Sequence, residues 1–222
     1  MTMTRPLFLQ VTSSHPAYLG MVMDHGVRHQ AYCKKWDYDF LIETPEQMDG
    51  PWTRLESILK HLRRGVHSHV FCLDADVFIA DFSHDLREMT PSWAYTAFTI
   101  HPYPWGHQGV FHLQCGGYSF RTCLASIAFV ERILKGRQFF PDDQTIVNQL
   151  MIGPEGDKWQ QGLRVLPCEW NQTIQNCDFK THPPIIAAFH GTQALDGNSS
   201  PEFRRELMRK VALDYPYKKE GA

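Results

Sequence analysis

The ten residues Val70–Ile79, VFCLDADVFI, constrain this chain more than any other stretch. An apolar run leads into Asp74 and Asp76, and a second apolar run leads out. Residues i and i+2 of a strand share a face, so carboxylates at this spacing on a strand end point into the same space. No Lys or Arg lies between Arg64 and Arg87 to neutralise them. Paired carboxylates repel unless something cationic sits between them, and a hard divalent cation is the simplest candidate. The other reading of the same residues is a turn between two core strands, with the aspartates solvated or capping.

The chain around this stretch sets the bounds. Its 222 residues, 43% hydrophobic, suffice for a single domain over 1–222 with a sizeable core, including a terminal helix at about 200–215. The net charge is −2, and like charges run no further than pairs such as Lys34-Lys35 and Arg63-Arg64. That excludes nucleic-acid binding as the main role. No apolar run approaches a membrane span, and Leu7–Val11 is too short for the apolar region of a signal peptide. The expected location is the cytoplasm. The six cysteines (33, 72, 115, 123, 168 and 177) show no C-x-x-C spacing, which removes zinc-ribbon and thioredoxin readings. Cys72 and Cys123 read as buried free thiols, and a Cys168–Cys177 bridge would need an oxidising compartment.

Taken in order, residues 7–11 (LFLQV) read as a first buried strand. Thr12, Ser13 and Ser14 follow, where hydroxyls and backbone N–H groups meet a nucleotide in sheets of this kind; a plain helix cap is the other reading. Apolar spacing predicts a helix from Ala17 to Trp36. His25 and His29 lie one turn apart on it, and with no carboxylate nearby they read as helix surface. A second strand covers Tyr38–Ile42. A second helix covers 52–64, with Trp52, Leu55, Ile58, Leu59 and Leu62 on one stripe and Arg54 near its start. Strand, helix, strand, helix, strand over residues 7–79 is the rhythm of a parallel sheet with covering helices. Ligands of such sheets bind beyond the carboxyl ends of the strands, where Thr12, Ser13, Asp74 and Asp76 all fall.

Beyond Asp81 the pattern predicts a short polar helix (Ser83–Met89) and a strand (Ala94–Ile100). A loop follows at 101–110, whose aromatics and imidazoles suit either an acceptor pocket or ordinary packing. Residues 111–120 read as a strand in which Gly116-Gly117 marks a bulge or a close backbone approach to a ligand. Thr122 is expected to cap a helix to Lys135. In Pro141-Asp142-Asp143-Gln144, Asp142 is a sound N-cap for a helix to Met151, leaving Asp143 or Gln144 to face a site. Short strands are expected at Leu163–Leu166 and Ile185–Phe189. The latter ends in His190-Gly191, where a sharp turn exposes the imidazole. Ser199, followed three residues later by Glu202, is expected to open the terminal helix, with a frayed tail at 218–222.

This ordered set resembles the nucleotide-sugar-dependent glycosyltransferases of the GT-A fold. It comprises hydroxyls at a strand end, W-x-R on a helix, L-D-A-D between apolar runs, glycines before a helix, D-D-Q at a helix start and strand-H-G. Its D-x-D families look closest, the glycogenin/galactosyltransferase-like and the yeast-type galactosyl- and mannosyltransferase-like groups. The resemblance spans residues 7–191. It implies an α/β, Rossmann-like GT-A fold, with a mostly parallel central sheet and helices on both faces. It implies that Asp74, Asp76 and His190 hold Mn²⁺ or Mg²⁺ against a nucleotide diphosphate, with one imidazole favouring manganese. Thr12, Ser13, Arg54, Gly117 and Gln144 would contact the donor, UDP-linked ahead of GDP-linked, and Asp142 or Asp143 would lie near the reacting sugar. The expected reaction moves a hexose to a hydroxyl of a glycan, lipid-linked or small-molecule acceptor. The chain departs from these families at Gln114-Cys115-Gly116-Gly117, where relatives carry Asn before the strand glycine. It departs again at His190-Gly191-Thr192-Gln193, where a basic residue is missing. A nucleotidyltransferase would carry a glycine-rich, basic loop after the first strand, and Thr12–Pro16 has neither. A binding module without transferase activity, its Asp-Ala-Asp a simple turn, is the remaining alternative.

Overall fold

The computed structural model describes residues 4–101, 112–173, 183–189 and 200–216. Its first strand, β1 (Leu7–Val11), is buried on both faces. Side chains alternate across a strand, so Leu7, Leu9 and Val11 enter one core layer while Phe8 enters the other. β1 lies between β2 (Asp39–Glu43) and β3 (His69–Leu73), parallel to both, with Leu9 opposite Leu41 and Cys72. β7 (Gly117–Arg121) runs antiparallel to β3, and β5 (Thr96–His101) antiparallel to β7. β8 (Leu163–Leu166) is parallel to β5, and β6 (His112–Leu113) antiparallel to it. Among the described residues β1, β2, β3, β5 and β8 therefore share one direction and β6 and β7 oppose it. The sheet is mostly parallel, as the sequence predicts.

Helices cover both faces. The apolar stripe of α2 (Gly50–Arg64) packs on Leu7, Leu9, Val11 and Cys72. Phe129, Val130 and Ile133 of α3 (Leu124–Gly136) and Ile146, Val147 and Leu150 of α4 (Asp143–Ile152) extend the same layer. On the other face Tyr32 and Cys33 of α1 (Pro16–Trp36) pack with Phe8 and Phe71. Each of these large apolar side chains contributes roughly 1.5–3 kcal/mol by leaving water. A short α5 (Gly156–Gln160) buries Trp159 before β8.

The Val70–Ile79 stretch is not a single strand. β3 ends at Leu73, the chain turns through Asp74-Ala75-Asp76, and β4 (Val77–Ile79) enters a second, three-stranded sheet. There it pairs antiparallel with β10 (Ile186–Ala188), which runs parallel to β9 (Gln172–Thr173). The aspartates thus sit on a turn between sheets, and strand pleating does not set their direction.

The last described helix, α6 (Pro201–Asp214), packs on α1 and β4. Asp24 receives two hydrogen bonds from Arg205 (2.6 and 3.1 Å) and two from Arg209 (2.9 and 3.1 Å). Arg28 donates to the carbonyls of Ile79 (3.1 Å), Ala212 (3.3 Å) and Tyr215, tying the end of α6 to β4. Arg205 crosses α1 at Gly20, where a Cβ would sit 2.3 Å from the guanidinium carbon.

This cover corrects the reading of His25 and His29 as surface. Both are buried. His25 stacks on Phe78 at 4.9 Å, and His29 Nδ1 hydrogen-bonds Gln10 Oε1 at 3.0 Å. Burial pushes His25 down to about 4 and His29 well below its usual value, so both rings are neutral. Other boundaries shift by a residue or a turn. Cys123, not Thr122, precedes α3, and Ser200, not Ser199, caps α6 by accepting from the Phe203 N–H. The polar helix shrinks to a 3-10 turn at Leu86–Met89, capped by Asp85. Residues 112–121 split into β6 and β7, with Gly117 opening the second rather than lying inside one strand. Residues 102–110 of the expected loop, Cys177, His190-Gly191 and the expected tail at 218–222 lie outside the described residues.

The Arg205 hydrogen bonds hold the Asp24 carboxyl down at about 2, against its ordinary 3.8; burial opposes the shift and Arg209 assists it. A carboxyl depressed in the folded state stabilises above its unfolded pKa and loses that contribution as pH falls through the folded value. Solvent screens this exposed cluster, so thermal melts are expected to show a loss of about 1 kcal/mol or less from this group between about pH 4 and pH 2. Asp24→Asn should be less stable at pH 7 and show a flatter acid limb.

Candidate functional site

The carboxyl ends of β1 and β3 and the N-terminal turns of α2, α4 and α6 surround a cleft of about 550 Å³. β1 delivers Thr12 and Ser13, and the turn after β3 delivers Asp74 and Asp76. α2 delivers Arg54, α4 delivers Asp143 and Gln144, and α6 delivers Arg204. Seven sequence-predicted residues, Thr12, Ser13, Arg54, Asp74, Asp76, Asp143 and Gln144, therefore meet in one place.

Arg54 organises the floor. Its guanidinium pairs with Asp74 through Nη1 and with Asp143 Oδ2 through Nη2, the latter at 2.7 Å. The Tyr118 hydroxyl donates to the same Asp143 oxygen at 2.7 Å, and the Tyr118 ring lies 4.9 Å from the guanidinium carbon. Side-chain exposure is 7% for Arg54 and Asp143 but 32% for Asp74. Asp143 is thus fixed from two sides, while Asp74 keeps an open edge toward the cleft. Burial disfavours the charge on Arg54, yet Asp143, Tyr118 and Cys72 together outweigh it and the pKa rises. Burial, joined by Asp143, also pushes Tyr118 well above its ordinary value, so the phenol remains a donor.

Asp76 has its own partner. Arg204 Nη1 reaches Asp76 Oδ2 at 2.9 Å across 128 residues of chain. As the sequence indicates, no cation from residues 65–86 neutralises the two aspartates. The neutralising cations come from α2 and α6, not from neighbours in sequence. Behind the carboxylates, the Asp74 N–H donates to the Gly116 carbonyl (3.0 Å) and the Phe189 N–H to the Asp76 carbonyl (2.9 Å).

Three predicted residues stand elsewhere. Asp142 is the N-cap of α4, accepting from the N–H (2.7 Å) and hydroxyl (3.0 Å) of Thr145. Gly117 faces β3 rather than the cleft: a Cβ there would lie 2.9 Å from Leu73 Cδ2, and Gly116 lines the cleft instead. His190 lies outside the described residues, one position after Phe189. Among the described residues no three His, Cys, Asp or Glu side chains gather as a metal cluster.

Among the described residues, Arg204 and Tyr118 are charged or hydrogen-bonding members of this site that sequence reading misses. Arg204 belongs to a basic, polar helix whose pattern reads as solvated surface, and Tyr118 to a strand whose pattern reads as core.

No family model matches the sequence, and no curated protein matches it. Solved structures do. A glycosyltransferase involved in the glycosylation of the major capsid of PBCV-1 aligns with a TM-score of 0.69 at 14% identity, over 93% of this chain and 100% of its own. The chain has the GT-A fold of these glycosyltransferases. The glycosyltransferase GlyE of Streptococcus pneumoniae TIGR4 aligns with a TM-score of 0.59 at 12% identity over 95% of this chain, which spans 60% of GlyE. The galactosyltransferase LgtC, solved with donor and acceptor sugar analogues, aligns with a TM-score of 0.51 at 13% identity, over 96% of this chain and 98% of LgtC.

The two adjacent acids of α4 should separate on mutation. Asp142→Ala removes a cap and is expected to cost about 1 kcal/mol. Asp143→Ala leaves the buried Arg54 and Tyr118 short of their shared acceptor and is expected to cost about 3–5 kcal/mol. Urea denaturation monitored by tryptophan fluorescence ranks the two; equal losses would contradict the assigned roles.

Proposed function

We propose that this chain is a metal-dependent glycosyltransferase that moves a hexose from a UDP- or GDP-sugar to an acceptor hydroxyl. The observation that carries the proposal is the convergence of Asp74, Asp76, Arg54 and Asp143 in one cleft at the strand ends of a glycosyltransferase fold. UDP donors come first through the galactosyltransferase-like resemblance, and the acceptor class is a glycan, lipid-linked or small-molecule hydroxyl. Among the described residues no helix is long and apolar enough to cross a membrane. The buried free thiols of Cys33, Cys72 and Cys115 accord with a cytoplasmic setting.

Each residue then has a task. The hydroxyls of Thr12 and Ser13 face the nucleotide. Asp74 and Asp76 would hold Mn²⁺ or Mg²⁺ with His190, their oxygens suiting a hard cation. The turn between sheets fits that role: Asp74 keeps Arg54 on Oδ1 and turns its open edge to the cation, while Asp76 exchanges Arg204 for it. When bound, the cation neutralises charge developing on the departing diphosphate. Asp143, immobilised by Arg54 and Tyr118, presents a fixed carboxylate to the sugar, and Gln144 adds an amide beside it. The role near the reacting sugar falls to Asp143, because the carboxylate of Asp142 is committed to the α4 cap.

Differential scanning of the wild type with UDP or GDP, each with and without Mn²⁺, tests the reading. Ligand at a hundred times its Kd should stabilise the fold by about 2.7 kcal/mol. Asp76→Ala is expected to retain the fold by circular dichroism and lose donor hydrolysis and transfer. Full activity in that variant would sink the proposal, and the absence of any nucleotide- and metal-dependent shift in the wild type would favour a binding module of another kind.

A further inference from the structure

Arg54 and Arg204 both neutralise an aspartate of the cleft, but they are held differently. Arg54 contacts two carboxylates and an aromatic face and is 7% exposed. Arg204 reaches Asp76 through Nη1 and no second carboxylate among the described residues; its Nε, like that of Arg54, is buried with no hydrogen-bond partner among them. A guanidinium carries five donors in a fixed fork and binds carboxylates and phosphates best two nitrogens at a time. A buried donor left without a partner is costly. Arg204 therefore sits at the wall of the cleft with donor capacity to spare, its side chain 19% exposed against 8% for Asp76.

The helix that carries Arg204 does not depend on that pair. α6 is fixed to α1 by Arg205 and Arg209 on Asp24, to β4 through Arg28, and to the core by Met208. Arg204 can exchange partners while its backbone stays in place.

We infer that Arg204 is a tethered cation that occupies Asp76 while the cleft is empty and transfers to the donor's phosphates when a divalent cation takes Asp76. Binding of metal and of nucleotide diphosphate is thereby coupled. This rests on the function proposed above and goes beyond it. A divalent cation arriving alone must break the Arg204–Asp76 pair and leave a guanidinium facing the cleft without a counter-ion. A diphosphate arriving alone meets the Asp74 and Asp76 carboxylates. Arriving together, the cation takes the carboxylates, the phosphates take the fork of Arg204, and each removes the penalty on the other. Arg204 acts as a switchable positioning residue, whereas Arg54, held on three sides, stays as part of the floor.

Isothermal titration of Mn²⁺, without and with saturating UDP, tests this in the wild type, Arg204→Gln and Arg204→Lys. In the wild type UDP should raise Mn²⁺ affinity on the order of tenfold or more, within the usual range of coupling between two sites. Arg204→Gln should bind Mn²⁺ alone about tenfold more tightly than the wild type and gain little further from UDP, because the cation that exchanges partners is removed. Arg204→Lys keeps the charge without the fork and should fall between them. It decides the matter should Gln at this position lower the melting temperature enough to prevent titration: reduced coupling supports the exchange and wild-type coupling overturns it. Wild-type coupling in Arg204→Gln, or unchanged or weaker Mn²⁺ binding without nucleotide, overturns the inference and leaves the proposed function standing. A wild type that binds neither Mn²⁺ nor UDP overturns the proposed function, and this inference with it.

Discussion

The buried guanidinium of Arg54 is the constraint on which the site depends. It joins the first turn of α2, the end of β3 and the start of α4 through Asp74 and Asp143. Such a cation is costly to bury, and the attraction of its partners only roughly repays that cost. Its value is therefore geometric more than energetic. With Arg54 charged and Tyr118 protonated, the Asp143 carboxylate has two fixed donors on one oxygen and few alternative rotamers. The α2–α3–α4 core layer supplies the rigid backing: Trp52 and Leu55 flank Arg54 in sequence, and Ile146 and Val147 follow Asp143. Arg54 and Asp143 are thus delivered by the N-terminal turns of helices whose next turns are buried.

A second constraint acts at Asp74-Ala75-Asp76. The chain leaves the main sheet after Leu73 and enters the small sheet at Val77. The turn is clamped on both sides, by the Gly116 carbonyl accepting from Asp74 and by Phe189 donating to Asp76. A turn between core strands and a ligand-facing carboxylate pair were alternatives when the residues were read alone. In the folded chain they coincide: the transfer from one sheet to the other is what places both side chains on the cleft. The hydrogen bond from Phe189 brings the end of β10 against Asp76.

Much of this was legible because the signals are local. The short apolar run Leu7–Val11 and the stripe Trp52–Leu62 define β1 and α2 without any tertiary knowledge. The rule that parallel strands present their carboxyl ends to ligands then locates Thr12 and Asp74. What escaped depends on partners remote in sequence. His25 and His29 look like surface until α6 and β4 cover α1, and the ion pair that fastens that cover, Arg205–Asp24, spans 181 residues. Arg204 differs in no local respect from Arg205 and Arg209, yet it alone of the three lines the cleft. Gly117 reads in sequence as a bulge or a close approach to a ligand, but its close neighbour is Leu73 of the adjacent strand. Spacing reveals that room is needed, not what fills it.

The charge of the cleft follows from these placements. Its charged lining residues among those described are Asp74, Asp76 and Asp143 against Arg54 and Arg204, three negative and two positive, a balance of −1. A diphosphate is anionic and gains little from such a surface, although two arginines are present, because both are already neutralised. One divalent cation moves the balance to +1 without moving a side chain from another part of the fold. The arginines therefore do not make the cation redundant. They hold three carboxylates together at close range in a partly buried cleft, where unpaired they would repel, and so keep an anionic recess assembled until a cation and its phosphates fill it.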